Sequence, residues 1–216
     1  MVRCSQDHDP LLRRPMSIHR VAPLSDPTDL ALLFSLVGRG TKWLAQRGQG
    51  DIIDLFGPLG NSFTPSTEAR DLLLVAGGMG IAPLVFLAER GLEAGAGVTL
   101  LLGAQTAEQV YPKHSLPPGI KLQVATEDGS IGNRGTVIEL LSDFDYGSRQ
   151  IFACGPVAMY QTLANLIKGQ KSIQVSMEAR MGCGFGGCYG CAIETRSGLR
   201  LVCKDGPIFE LNDIVW

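Results

Sequence analysis

The sequence predicts an α/β protein in three parts: an antiparallel β region, a mostly parallel sheet covered by helices, and a small cysteine-rich C-terminal segment. Three observations carry this. Residues 11 to about 66 hold short alternating or apolar runs separated by Pro, Gly and Asp, the texture of antiparallel strands. From about 70 to 170, short apolar strands are followed by stretches able to form helices. From 177 to 207, four of the six cysteines crowd into a stretch too rich in glycine for a stable helix.

In the first part, "MSIHRV", "DLALLFSLV" and "GDIIDLF" read as strands. One short helix fits at "TKWLAQRG", starting at Thr41 and stopped by Gly48. Arg13 and Arg14 precede Pro15 and Ser17. An arginine beside a strand offers a planar fork to a phosphate, and a nearby serine can hydrogen-bond a ring edge. Gly40 and Thr41, at the helix start, form a second phosphate seat.

In the second part, "DLLLVAGG", "GVTLLLGA", "KLQVATED" and "RQIFACGP" are near-continuous apolar runs, as strands buried on both faces of a parallel sheet require. Helices are expected at 81–94, 136–142 and 156–168, with a shorter one near 106–110. The first strand runs into Gly77-Gly78-Met79-Gly80-Ile81-Ala82-Pro83. This is not a G-x-G-x-x-G fingerprint, and such a turn can simply connect strand to helix tightly. Its glycines also let a pyrophosphate or nicotinamide approach the backbone at a helix N-terminus. "FACGP" ends a second strand in Cys154-Gly155-Pro156, and both turns fall at the C-terminal edge of the sheet, where ligands of open parallel sheets sit. The plain alternative for Cys154 is a small buried core residue.

In the third part, a strand-like "SIQVSMEA" leads into Cys183-x4-Cys188-x2-Cys191-x11-Cys203. The first intervals match the C-x4-C-x2-C spacing of plant-type [2Fe–2S] proteins, with a distant fourth cysteine. Gly182, Gly184, Gly186, Gly187 and Gly190 let the backbone lie against a cluster with its amides aimed at the sulfurs. A structural zinc site or two disulfides are the alternatives. Only Cys188 and Cys191 make the C-x2-C knuckle that zinc sites use in pairs.

Composition narrows the function. Hydrophobic residues make up 45% of 216 and the net charge is −2, which fits a globular chain with a sizeable core. That balance argues against a general nucleic-acid or anionic-membrane binder. The N-terminus has no apolar signal-peptide core, and the longest apolar run, 72–88, is broken by Gly77, Gly78, Gly80 and Pro83. A cytoplasmic location is expected, and clustered cysteines in a reducing compartment point to metal more than to disulfides. His8, His19 and His114 have no metal or triad spacing and receive no role.

Together, "RRPMS", "GTKWL", "GPLGN", "LLLVAGGMGIAPL", "FACGP" and "CGFGGCYGCAIET…LVCKDGPIF" resemble one family over residues 11 to 216. It is the iron–sulfur/FAD electron-transfer subunit of the NAD-dependent dihydroorotate dehydrogenases, a branch of the ferredoxin–NADP reductase superfamily. The resemblance implies a truncated FAD-binding β-barrel over 1–67, a Rossmann-like NAD-binding domain over 68–171 and a [2Fe–2S] domain over 172–216. Only about a dozen residues precede the Arg-Pro-x-Ser motif, so either the true start lies upstream or the barrel is short of its first strands. By resemblance, Arg14, Pro15 and Ser17 meet FAD, and Gly40 and Thr41 hold its pyrophosphate. Gly77, Gly78, Gly80, Cys154, Gly155 and Pro156 shape the NAD site, and Cys183, Cys188, Cys191 and Cys203 ligate the cluster. Glu127 or Asp128 falls at the nucleotide's ribose, where a carboxylate would repel a 2′-phosphate. The implied partner is an FMN-containing catalytic subunit in a heterotetramer of two plus two. The implied reaction sends electrons from dihydroorotate to NAD⁺ in pyrimidine biosynthesis. Related layouts serve hydrogenases, sulfide dehydrogenases and flavin-bifurcating ferredoxin:NADP oxidoreductases, and these remain the competing expectation.

Overall fold

Strand β3 (Asp71–Gly77) is the centre of the molecule, and its side chains alternate between two cores. In the computed structural model, residues 1–5, 9–22, 29–67, 69–142, 144–147, 149–167 and 172–216 are described. His8 and the expected last helical position, 168, lie outside them.

Before β3, β1 (Ile18–Ala22) pairs antiparallel with β2 (Asp29–Leu32), with an irregularity between Ile18 and Arg20. Val2, almost fully buried, bridges both Arg14 and Leu55. The expected strand "GDIIDLF" is a loop with that single bridge. Ile52 is 93% exposed, so apolar composition there finds neither a core face nor a ladder partner. Helix α1 (Arg39–Ala45) begins two residues before the expected start. Thr41 is its third residue, not its cap: the Thr41 hydroxyl accepts from the Val37 and Gly38 amides at 3.0 and 3.1 Å. The helix therefore opens one turn's reach earlier.

The remaining elements are α2 (Ile81–Glu93), β4 (Gly97–Ala104), β5 (Lys121–Thr126), β6 (Asn133–Arg134), α3 (Val137–Ser142), β7 (Gln150–Cys154) and α4 (Val157–Leu166). They are followed by β8 (Ile173–Ser176), β9 (Ala192–Thr195), β10 (Gly198–Leu201) and β11 (Ile208–Glu210). The helices expected at 81–94, 136–142 and 156–168 are present within two residues at each described end, and the one near 106–110 is a single 3-10 turn at Ala107–Gln109.

Seven strands form one sheet in the order β11-β8-β7-β3-β4-β5-β6, parallel except for β11 against β8. Helix α2 covers Leu72, Leu74 and Ala76 on one face. On the other, α3, α4 and the C-terminal segment enclose Leu73, Val75, Ile151 and Leu163. Each such leucine contributes about 1.5–3 kcal/mol by leaving water. Cys191, Val202 and Cys203 belong to this second core, so the cysteine segment is packed onto the sheet. After β6 the chain returns to the other side of β3 to make β7. The strand order therefore reverses between β3 and β7, and a crevice opens at their C-terminal ends, at Gly77 and Cys154.

Candidate functional site

The four C-terminal cysteines gather from two loops. Residues 183–191 turn without regular structure, with Gly184, Gly186 and Tyr189 in the left-handed region at φ 82°, 90° and 58°. This folds the chain back so that amides face inward. Cys183 Sγ accepts the Gly187 N–H at 3.2 Å. The amides of Phe185 and Cys188 also point at it and, with Gly187, hold the thiol down to about 6. The Cys188 side chain donates to the same sulfur. The spacing of eleven residues before the fourth cysteine is a β-hairpin, β9 and β10, pairing Ala192 with Leu201. It sets Cys191 beside Cys203, whose N–H reaches Cys191 Sγ at 3.5 Å. Burial, then the neighbouring Cys191 and Cys183, push the Cys203 thiol up to about 11.

The sulfurs thus fall into two pairs, Cys183 with Cys188 and Cys191 with Cys203. All six cysteines are free thiols. Among the described residues, no three His, Cys, Asp or Glu donors close on a single metal ion. A binuclear iron–sulfur cluster asks for two thiolates at each of two irons, which is the donor set present; zinc asks for four around one centre. Backbone amides directed at the sulfurs are the second requirement of such a cluster. The residues fit a [2Fe–2S] cluster. Cys188 faces solvent while Cys191 and Cys203 are buried, so the loop presents one rim outward.

The two turns at the sheet's edge pack against each other. A Cβ on Gly80 would overlap the Cys154 carbonyl, and one on Gly77 would come within 2.9 Å of the Met159 sulfur and Pro156. Gly78 differs: its φ is +54° and open space surrounds it, leaving its backbone accessible to a ligand. Cys154 is buried at the end of β7, and burial first, then the Glu178 charge, push its thiol up to about 12. Tyr160 escaped the sequence reading. Its hydroxyl accepts the Gly155 N–H at 2.9 Å and donates to the Ser176 carbonyl at 2.6 Å, fixing this turn to β8. The only sequence signal was a tyrosine at an apolar helix position. Beyond β5, the Asp128 carboxylate accepts from the Ser130 amide and hydroxyl at 2.9 and 2.6 Å, which lowers its pKa. Glu127 is exposed and, among the described residues, in no ion pair.

On the antiparallel side, Arg13 is committed to Asp54, at 2.6 Å. Arg14 has no carboxylate partner among the described residues and donates to the Leu12 carbonyl at 2.6 Å. Its Nε lies 3.0 Å from where a Gly40 Cβ would stand, so Gly40 admits the Arg14 side chain against the start of α1. Thr41 is buried, with its hydroxyl spent on Val37 and Gly38. It shapes the helix start, and only its backbone remains for a ligand. Pro15 is exposed and Ser17 half-buried. Two residues on, His19 reaches the Ala82 carbonyl in the first turn of α2. A groove of about 280 Å³ lined by Arg3, Ser5, Trp43, Ile52 and Asp54 opens beside α1. Arg14, Gly40 and Thr41 form one group, the glycine turn and Cys154–Pro156 a second, and the four cysteines a third. β1 links the first to the second, and β8, paired with β7, links the second to the third.

Residues 178–215 match the iron-sulfur cluster binding domain of dihydroorotate dehydrogenase B. The chain is 38% identical over 224 residues to the electron transfer subunit of dihydroorotate dehydrogenase B (NAD(+)) from Desulforamulus reducens, covering 100% of this chain and 84% of that one. It is 36% identical to the corresponding protein of Bacillus mycoides, covering 99% and 84%. Among solved structures, an NADH-dependent reduced ferredoxin-NADP oxidoreductase superposes with a TM-score of 0.82 at 28% identity, over 95% of this chain and 75% of that one. With paired cysteine sulfurs, facing glycine turns and 36–38% identity over nearly the whole chain in agreement, the chain belongs to the family of dihydroorotate dehydrogenase B electron transfer subunits.

Proposed function

We propose that this chain is the electron-transfer subunit of an NAD-dependent dihydroorotate dehydrogenase. It takes the two electrons released when a catalytic subunit oxidises dihydroorotate to orotate and delivers them to NAD⁺. The observation that carries this is the pairing of four cysteine sulfurs from two loops, partly exposed, in a segment that shares one core with a nucleotide-type sheet. When bound, the cluster supplies one-electron transfer, and FAD links single electrons to hydride exchange with the nicotinamide.

The chain's residues position and tune. Cys183, Cys188, Cys191 and Cys203 hold the cluster, and the amides of Phe185, Gly187 and Cys188 stabilise negative charge on sulfur. Arg14, with no carboxylate partner among the described residues, offers the rest of its guanidinium to the FAD phosphates, Gly40 and the Thr41 backbone seat the pyrophosphate, and Pro15 and Ser17 border the flavin. Gly77, Gly78 and Gly80, with Cys154, Gly155 and Pro156, admit the nicotinamide nucleotide. Cys154 stays a neutral thiol and packs there without acting as a nucleophile. The partner is the catalytic subunit, which we take to carry FMN and to assemble two plus two with this chain. No described helix is long and apolar enough to cross a membrane. The free thiols fit the cytoplasm.

The solved oxidoreductase at 28% identity favours one second reading, exchange of electrons with ferredoxin. The test is to co-purify the chain anaerobically with its catalytic subunit, count iron and flavin, and supply dihydroorotate and NAD⁺. Orotate and NADH formed in equal amounts support the proposal; activity that depends on reduced ferredoxin and ignores dihydroorotate supports the alternative.

A further inference from the structure

The "GPLGN" motif has no part in the reading above, yet it runs along the cluster loop as a strap. Phe56, just before it, meets Phe185 edge-on with ring centroids 6.3 Å apart. Leu59 Cδ1 lies 3.4 Å from where a Gly184 Cβ would be. Gly60 has φ +69°, and a Cβ there would overlap the Gly206 carbonyl. Asn61 then engages its whole side-chain amide and its backbone N–H. Its amide nitrogen donates to the Asp205 and Ile208 carbonyls at 3.0 and 2.9 Å, and its side-chain oxygen accepts the Ile208 N–H at 2.8 Å. Its backbone N–H donates to the Gly206 carbonyl at 2.6 Å. Three residues later, Thr64 exchanges bonds with the Gln174 side chain on β8. The turn gripped by Asn61 begins two residues after Cys203, and the strap leads back to Leu55, bridged to Val2 and so to Arg14.

We infer that Asn61 is a positioning residue for electron transfer: it fixes the Cys203 turn against the flavin-side segment and so sets the separation across which electrons pass. This rests on the function proposed above. A general packing role would lower stability alone; a positioning role slows cluster reduction while each cofactor stays bound. Asn61→Ala removes the three side-chain bonds. Asn61→Asp keeps the acceptor for Ile208 but sets a carboxylate against two carbonyls, so it is the more damaging change.

The experiment uses the full chain purified with its cofactors counted. NADH oxidation by ferricyanide reads the flavin, stopped-flow bleaching of the iron–sulfur absorbance by NADH reads transfer to the cluster, and amide exchange reads the Ile208 N–H. The expected result is unchanged iron, flavin and ferricyanide rate, faster exchange at Ile208, and cluster reduction slowed severalfold, because electron transfer falls off steeply with the separation of the two redox groups. Cluster reduction at the wild-type rate in Asn61→Ala overturns the inference. So does loss of the cluster from both variants with flavin retained, and so does an unprotected Ile208 N–H in the wild type. A wild-type chain without flavin or iron overturns the functional reading and this inference with it.

Discussion

His19 Nδ1 donates to the carbonyl of Ala82 at 2.8 Å, while its Nε2 lies 3.0 Å from the Tyr111 hydroxyl. A carbonyl only accepts, so Nδ1 carries a proton toward Ala82, while the Tyr111 hydroxyl meets the other ring nitrogen and also reaches the Ser115 carbonyl at 3.4 Å. The ring is buried and ties β1, which follows the Arg14–Ser17 motif, to the first turn of the helix behind Gly77–Gly80. His19→Ala should therefore cost about 1–3 kcal/mol, the range for a buried bond whose partner is left unpaired. Tyr111→Phe, which removes the hydroxyl's contacts with His19 and with the Ser115 carbonyl, should cost about 1 kcal/mol. Urea midpoints check both. The histidine variant should also raise the KM for NADH, because the turn it steadies is the one proposed to admit the nucleotide.

Gly80 and Gly78 are neighbours with opposite demands. Gly80 has no room for a Cβ against Cys154, whereas Gly78 has room but a positive φ. Gly80→Ala should prise the two turns apart and lower the NADH-dependent rate on the order of 100-fold, the scale of a misplaced binding geometry. Gly78→Asn should keep most of that rate, since asparagine tolerates the left-handed region. Flavin and iron content should stay normal in both. Equal loss in the two variants would show that the close approach to Cys154 is not what matters.

The alternation of strand and helix after residue 70 was legible because parallel strands buried on both faces leave unbroken apolar runs such as "DLLLVAG" and "GVTLLLGA". The cysteine spacing was legible because ligand geometry constrains sequence locally. "GDIIDLF" failed as a strand because pairing depends on a neighbour that a short window does not reveal. Thr41 misled because a threonine reaching back from the third helical position looks like a cap. Tyr160, His19 and Asn61 act across separations of 16, 63 and 147 residues, distances that no local pattern encodes. The β9–β10 hairpin left a signal, alternation around Ser197-Gly198, which the cysteines on either side obscured.

Cys154 gives a pH prediction. Burial raises its thiol from 9.0 to about 12, so the folded state holds the proton more tightly than the unfolded chain. The resulting stability is present in full below pH 9 and is lost as pH climbs toward 12. The wild type should therefore lose urea resistance more steeply above pH 9 than Cys154→Ser does, the difference isolating this thiol from other groups. At pH 8 the native thiol should resist iodoacetamide. Rapid alkylation of Cys154 in folded protein would contradict its burial.

Of the two carboxylates after β5, Asp128 is engaged in its own turn with Ser130, and Glu127 is exposed. In the proposed nucleotide site, Glu127 is therefore the carboxylate available to discriminate against a 2′-phosphate. Glu127→Ser should raise kcat/KM for NADPH relative to NADH about tenfold, roughly 1.4 kcal/mol of relieved repulsion. Asp128→Ser should instead loosen the loop and weaken both nucleotides alike. The two ratios, measured with ferricyanide as acceptor, separate selectivity from loop order.

Cys188 is the exposed member of the pair that includes Cys183, and its side chain donates to that sulfur. Serine at this position is a poorer, harder ligand for iron than cysteine. Cys188→Ser should lose the cluster, with iron per chain falling and the visible iron–sulfur bands disappearing. Electron delivery from the catalytic subunit should fall to background. NADH oxidation by ferricyanide should survive, because the turns at Gly77–Gly80 and Cys154–Pro156 are held at the ends of β3 and β7 by each other and by Tyr160. If ferricyanide reduction vanished while flavin content and fold were kept, the cluster would lie between nicotinamide and flavin, and the order of transfer proposed for this chain would have to be reversed.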